Sequence, residues 1–168
     1  MSIETRRIMK EINGAGIIVF YDNRDGNIKS LDNDILYLTL LDYRNKYDFP
    51  KGGIDKGELA FDCALREADE EISLKKDYLE RFLFQQEKNN PAEVTFLYKQ
   101  CEGLVMYVAE IKKSKMSDQF LIVKPNEKTG YEEHSKFMWL TKENCKENLL
   151  SYLQEFLDWC DEEIRKQV

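Results

Sequence analysis

Histidine is almost missing from this 168-residue chain, with His134 the only one. Chemistry built on a histidine-activated nucleophile therefore has a single position from which to draw its base. The four cysteines, Cys63, Cys101, Cys145 and Cys160, are far apart and form no Cys-x-x-Cys pair. That argues against a structural zinc site and against a dense disulfide framework, and makes a reducing compartment the expectation. No uncharged run approaches the roughly 20 residues of a membrane span, and the opening MSIETRRIMKEING holds no apolar core of the kind a secretory signal needs. A cytoplasmic protein with no membrane partner is expected, with the nucleus left open. Positive charge is also in deficit. With 25 Lys and Arg against 32 Asp and Glu, the formal net charge is −7, which disfavours long-range attraction to nucleic acid. A phosphate-bearing ligand would need bound cations and a local basic patch.

What is present is ordinary globular material, 42% hydrophobic and 12% aromatic, long enough to bury a sizeable core in one domain spanning 1–168. One stretch stands out, GGIDKGELAFDCALREADEEISL, from Gly52 to Leu74. If it is helical, Glu67, Glu70 and Glu71 are three and four apart and share one face. Such a patch repels itself by roughly 0.2–0.5 kcal/mol for each like-charged neighbour pair. A hard divalent cation relieves this best, because Mg²⁺ takes oxygen ligands and completes its shell with water and substrate phosphates. Ala60, Cys63, Ala64 and Ala68 lie on another face, and their small size permits close packing on a sheet. A plain solvated acidic face would be the better explanation of the charges if the run stood alone.

It does not stand alone. Gly52, then Glu58 six residues on, then Arg66, Glu67, Ala68, Glu70, Glu71 and Leu74 resemble the Nudix box, in which only Ser73 departs by replacing a glycine. Chance agreement at the other places in one window is well below about one in a million. Glycine suits a left-handed residue that closes a helix, so serine there costs on the order of 1 kcal/mol and touches stability, not chemistry. The resemblance implies a Nudix-type α/β/α sandwich with a mixed central sheet, a catalytic helix after a strand and loop, and a C-terminal helix. It implies hydrolysis of a phosphoanhydride with Mg²⁺ or Mn²⁺ on a small-molecule nucleotide. The residues alone point the same way, since clustered hard ligands suit metal-assisted phosphoryl transfer to water. Glu67, Glu70 and Glu71 are the expected metal ligands, with either Glu67 or Glu71 taking the proton from water. The carbonyl of Gly52 or Lys51 is placed to complete the shell. Arg66 cannot hold a cation and is expected to brace a carboxylate such as Glu70, four residues on. By the resemblance Glu58 belongs to the same supporting layer.

Elsewhere, Gly14 to Tyr21, Ile35 to Tyr43, Leu79 to Gln86, Val94 to Cys101, Leu104 to Ile111 and Phe137 to Leu140 read as strands, the fourth and fifth as a pair. Residues 2–10 suggest a short strand or an ordered arm. Gly14-Ala15-Gly16 lacks the rest of a phosphate-loop signature. Thr141-x-x-Asn144 marks a helix start before an amphipathic segment over Cys145 to Ile164. Alternating strands and two helices again suggest a layered α/β fold. Phe49-Pro50-Lys51-Gly52-Gly53 is an irregular approach to the box, and Lys51 is a candidate phosphate contact. Tyr131 to Leu140, reading YEEHSKFMWL, resembles the Glu-His, aromatic, Trp-Leu element of asymmetrical diadenosine tetraphosphate hydrolases. That likeness implies Glu133, with Glu132 behind it, as a further metal ligand, and Lys99 and Phe137 as phosphate and base contacts. Diphosphoinositol polyphosphates and RNA caps are alternative substrates, and nucleic acid enters only under the decapping alternative. A nucleotide sensor without turnover has no need of the self-repelling cluster. The sequence does not set an oligomeric state.

Overall fold

Period-two alternation along Gly14–Asp22, strand β1, sets the layering of the molecule. Ala15, Ile17, Val19 and Tyr21 enter one apolar cluster and Ile18 and Phe20 the other, so both faces of this strand are buried. The computed structural model describes residues 11–168 other than 88, 91, 118, 127, 128 and 132. The arm expected over 2–10 lies outside the described residues, as does Glu132.

The sheet is mixed. β1 pairs antiparallel with β2 (Ile35–Asp42), where Phe20 faces Tyr37, and parallel with β9 (Leu104–Ile111), where Ile17 faces Tyr107. The short strands β3 (Tyr47–Asp48) and β4 (Lys51–Gly53) pair antiparallel with β2 and β1. β5 (Leu79–Phe82) and β8 (Tyr98–Cys101) lie antiparallel on β9, and β10 (His134–Thr141) runs antiparallel along β2. A separate ribbon joins β6 (Phe84–Gln86) to β7 (Val94–Phe96).

The long strands expected over 79–86 and 94–101 are therefore each broken in two. Leu83 and Leu97 turn into the core at the breaks, where Leu97 N–H donates to Leu83 O at 2.8 Å and Leu83 N–H to Val108 O at 3.0 Å. Only the second half of the 94–101 run pairs with β9.

Helix α1 (Ala60–Ile72) covers one face of the sheet with Cys63, Ala64, Ala68 and Ile72. Ser73 closes it in the left-handed conformation, φ 59°, with Ser73 N–H donating to Asp69 O and Leu74 N–H to Ala68 O. Thr141 caps α2 (Lys142–Lys146) by accepting from Asn144 N–H, as the sequence suggests. The single helix expected over 145–164 is instead α2, a tight turn, and α3 (Gln154–Gln167). The chain at 148–150 gives its hydrogen bonds to β3, with Tyr47 N–H donating to Asn148 O and Leu150 N–H to Tyr47 O. α3 covers the second face with Phe156, Leu157, Cys160 and Ile164, and the buried Tyr37 hydroxyl donates to Asp161 at 2.7 Å. The result is an α/β/α sandwich with α1 and α3 on opposite faces. Among the described residues no helix is long and apolar enough to cross a membrane.

Candidate active site

The approach to α1 is pressed against β1. A side chain at Gly16 would overlap Pro50 O, the Lys51 side chain and Met106 Sδ, so the Gly-Ala-Gly run serves strand packing and not phosphate binding. Phe49, fully buried, and the Ile17 N–H to Pro50 O bond hold this segment in place. Gly52 is bare for a second reason. A Cβ there would fall on the Glu67 carboxylate.

On α1, Arg66 organises the acids. Its Nε donates to Glu58 at 2.8 Å, its Nη1 to Glu67 and Glu70 at 3.1 Å, and its Nη2 to Gly53 O at 2.9 Å. Arg66 holds the Glu58 carboxyl down at about 2, and the same carboxylates keep the guanidinium firmly charged. Glu67 and Glu71 behave differently. Burial pushes Glu67 up, against the opposing pull of Arg66. Glu71 is raised well above the usual carboxylate range, first by burial and then by the charges of Asp48 and Glu67, with Lys51 opposing. Negative charge is thus hardest to hold at Glu67 and Glu71, while Glu58 is satisfied by arginine.

The opposite wall comes from β4, from residues 124–126 and from Glu133 and His134 at the start of β10, with β3 beside β4. Lys51 N–H donates to the Glu71 carboxylate at 3.2 Å, and Lys51 Nζ lies 3.2 Å from Asp48 and over the Tyr152 ring. Burial opposes the Lys51 charge, but Asp48 and Tyr152 outweigh it and raise its pKa. Asp48 also sits 3.0 Å from His134 Nε2, and both side chains are buried. Asn126 donates to Glu133. Of these, Lys51, Asn126, Glu133 and His134 line a cavity of about 350 Å³ that also includes Gly52, Glu67, Glu70, Glu71 and Lys124.

Glu71, Glu133 and His134 each offer a ligand atom, and the three atoms lie within 4.8 Å of one another. Carboxylate oxygens dominate the set, with Glu67 beside it and the Gly52 carbonyl 3.6 Å from Cys63 Sγ. This donor chemistry fits a hard divalent cation. Two carboxyls held above their usual range are what such a cation relieves.

Of the sequence-derived site residues, Glu58, Arg66, Glu67, Glu70, Glu71, Gly52, Lys51 and Glu133 gather here. Two stand elsewhere. Lys99, on β8, is 3.6 Å from Glu155 and is not among the described residues lining this cavity. Phe137 lines a second, shallower cavity of about 680 Å³ with Leu31, Val123 and Trp139. The sequence reading did not single out Asp48, His134, Asn126, Lys124 or Asp55 as site residues. Asp48 stands directly before the Phe-Pro-Lys-Gly approach and His134 directly after Glu133, which is the signal that could have found them.

Residues 14–160 match the NUDIX domain, and the chain belongs to that family. NUDIX enzymes generally use divalent metals, in keeping with the acidic cluster, and the chain is a NUDIX hydrolase acting on nucleoside polyphosphates. It is 28% identical over 159 residues to an RNA pyrophosphohydrolase of Pelagibacter ubique (strain HTCC1062), covering 83% of this chain and 82% of that one. The fold is similar to that of the C. elegans Ap4A hydrolase in a binary complex, with a TM-score of 0.61 at 17% identity over 92% of this chain and 98% of that one. It is similar also to a Nudix hydrolase from M. smegmatis, RenU, with a TM-score of 0.61 at 11% identity over 95% and 89%.

Proposed function

We propose that this enzyme uses Mg²⁺, or Mn²⁺, to hydrolyse a dinucleoside polyphosphate such as diadenosine tetraphosphate, giving ATP and AMP. The observation that carries the metal and the hydrolysis is Glu71. It is a carboxylate raised by burial among Asp48 and Glu67, within ligand reach of Glu133 and His134, in a cavity that also holds Lys51 and Arg66. The Tyr131 to Leu140 element supports the dinucleotide as substrate.

Glu67, Glu70, Glu71 and Glu133 would hold the cation, which when bound would supply positive charge to the phosphate oxygens and make water a better nucleophile. The chain's own residues do the rest. Arg66 fixes the rotamers of Glu67 and Glu70, and Gly52 leaves room for the Glu67 carboxylate. Lys51 N–H orients Glu71, while its ammonium stays paired with Asp48. Glu67 or Glu71, whichever carboxylate is free to accept, takes the proton from the attacking water.

The identity to an RNA pyrophosphohydrolase favours a second reading, the 5′-triphosphate end of RNA. The net charge of −7 weighs against it. Product analysis with Mg²⁺ on diadenosine tetraphosphate, 5′-triphosphorylated RNA, capped RNA, a diphosphoinositol polyphosphate and ADP-ribose separates the readings. ATP plus AMP from the first substrate, at the highest kcat/KM of the panel, is the expected result. Preference for either RNA would replace the substrate and keep the mechanism.

A further inference from the structure

Lys124 ends a strap of chain that crosses the C-terminal end of α1. Ile122 N–H donates to Ile72 O and Lys124 N–H to Glu71 O, each at 2.9 Å, and Ser73 Oγ donates to Ile122 O at 3.2 Å. These bonds occupy carbonyls that a helix end otherwise leaves to water. They also fix the Lys124 backbone one hydrogen bond from Glu71. On the other side of the same residue, Lys51 N–H donates to the Glu71 carboxylate. The backbones of two lysines are therefore tied to Glu71, one at its carbonyl and one at its carboxylate, and both residues line the cavity.

Among the described residues, the lysines and arginines of that lining are Lys51, Arg66 and Lys124. Arg66 is taken up by Glu58, Glu67 and Glu70, and Lys51 is held by Asp48. Lys124 has a looser attachment. Its Nζ is 3.6 Å from Asp69 Oδ1, an oxygen that Lys75 already holds at 2.5 Å. An ammonium at that distance from a carboxylate already matched by another lysine, both partners well exposed, gains little. Its charge is available to a ligand in the cavity.

We propose that Lys124 is a substrate-binding residue that grips a phosphate from the α1 end of Glu71. One phosphate at Lys124 and the two of the anhydride under attack at the carboxylates make the preferred chain three phosphates or longer. This rests on the polyphosphate reading above. It adds the residue that reads chain length, which the box itself does not.

The test compares Lys124→Gln, Lys124→Arg and Asp69→Asn. Steady-state kinetics on diadenosine tetraphosphate are run beside calorimetric binding of inorganic tripolyphosphate and of pyrophosphate in Mg²⁺. Lys124→Gln should raise KM and weaken tripolyphosphate on the order of tenfold, as for one charge-assisted hydrogen bond, with kcat within about twofold. Pyrophosphate affinity should change far less, and Lys124→Arg should restore most of the loss. Asp69→Asn removes the ion pair and keeps the ammonium, so it should not raise KM. Unchanged tripolyphosphate affinity in Lys124→Gln, equal losses for both anions, or equal losses in Lys124→Gln and Asp69→Asn would each overturn the assignment. If the wild type turned over no dinucleotide while Lys124→Gln still lost tripolyphosphate selectively, the substrate reading would fall and the role of Lys124 would stand.

Discussion

Replacing Gly52 with alanine tests how tightly the site is built. A Cβ at this position overlaps the Glu67 carboxylate group, whose carbon would have to retreat by more than about 1 Å to reach ordinary van der Waals contact. The backbone has no such difficulty. Gly52 is absent from the positive-φ residues and pairs in β4 with Ala15 of β1, so alanine fits the strand. Restricting the unfolded chain gains about 0.4–1 kcal/mol, which offsets the displaced side chain. Gly52→Ala should thus melt within about 3 °C of the wild type. A misplacement of about 1 Å at a reacting centre can cost 10²-fold, so kcat should fall by about that factor, and the Mg²⁺ concentration giving half-maximal rate should rise. At Gly53, a Cβ would meet nothing within 4 Å, so Gly53→Ala should lose far less. Melting curves and an Mg²⁺ titration of turnover read both variants. A Gly52→Ala enzyme with kcat within about threefold of wild type would refute the reasoning.

Three further outcomes are expected. Glu71 has a folded pKa well above its ordinary 4.5, so between those values the folded chain holds a proton that the unfolded chain has lost, and metal-free stability falls as pH rises through that window. Mg²⁺ should therefore raise Tm more at about pH 8 than at about pH 5, and an equal or reversed gain by calorimetry would contradict the assignment of Glu71. Arg66→Lys keeps the charge but cannot fork across Glu58, Glu67 and Glu70. Tm should fall by about 3–6 °C and kcat by about tenfold or more, whereas wild-type kinetics would show that the fork is dispensable. Ser73→Gly relieves a left-handed serine but loses its bond to Ile122 O, and the relief, on the order of 1 kcal/mol, should win by about 1–3 °C in Tm; a fall would mean the strap bond dominates.

The carboxylates of α1 were legible because helical periodicity is local. Glu67, Glu70 and Glu71 converge from spacing alone, and Arg66 reaches Glu70 by the same rule. Ser73 was legible for the same reason, since the left-handed requirement belongs to one residue. The Asp48 to His134 contact joins residues 86 apart and exists only because β3 and β10 both pair with β2. No local pattern announces it. Lys124 was hidden similarly, behind a strap whose register is set by the carbonyls of Glu71 and Ile72. The breaks at Leu83 and Leu97 escaped because no glycine or proline marks them, and only the packing of both leucines into the core shows where the strands part. At the C-terminus, Leu149, Leu150 and Leu153 keep helical spacing, yet β3 captures the backbone around them.

Manganese binding, followed by electron paramagnetic resonance and matched to turnover of diadenosine tetraphosphate, tests the central claim most directly. Wild-type turnover should rise in step with bound Mn²⁺, and Glu71→Gln should lose at least about 10²-fold in activity together with most of its metal affinity while keeping its fold. Full turnover in the presence of a chelator, or a Glu71→Gln enzyme that binds Mn²⁺ and works as the wild type does, would contradict it.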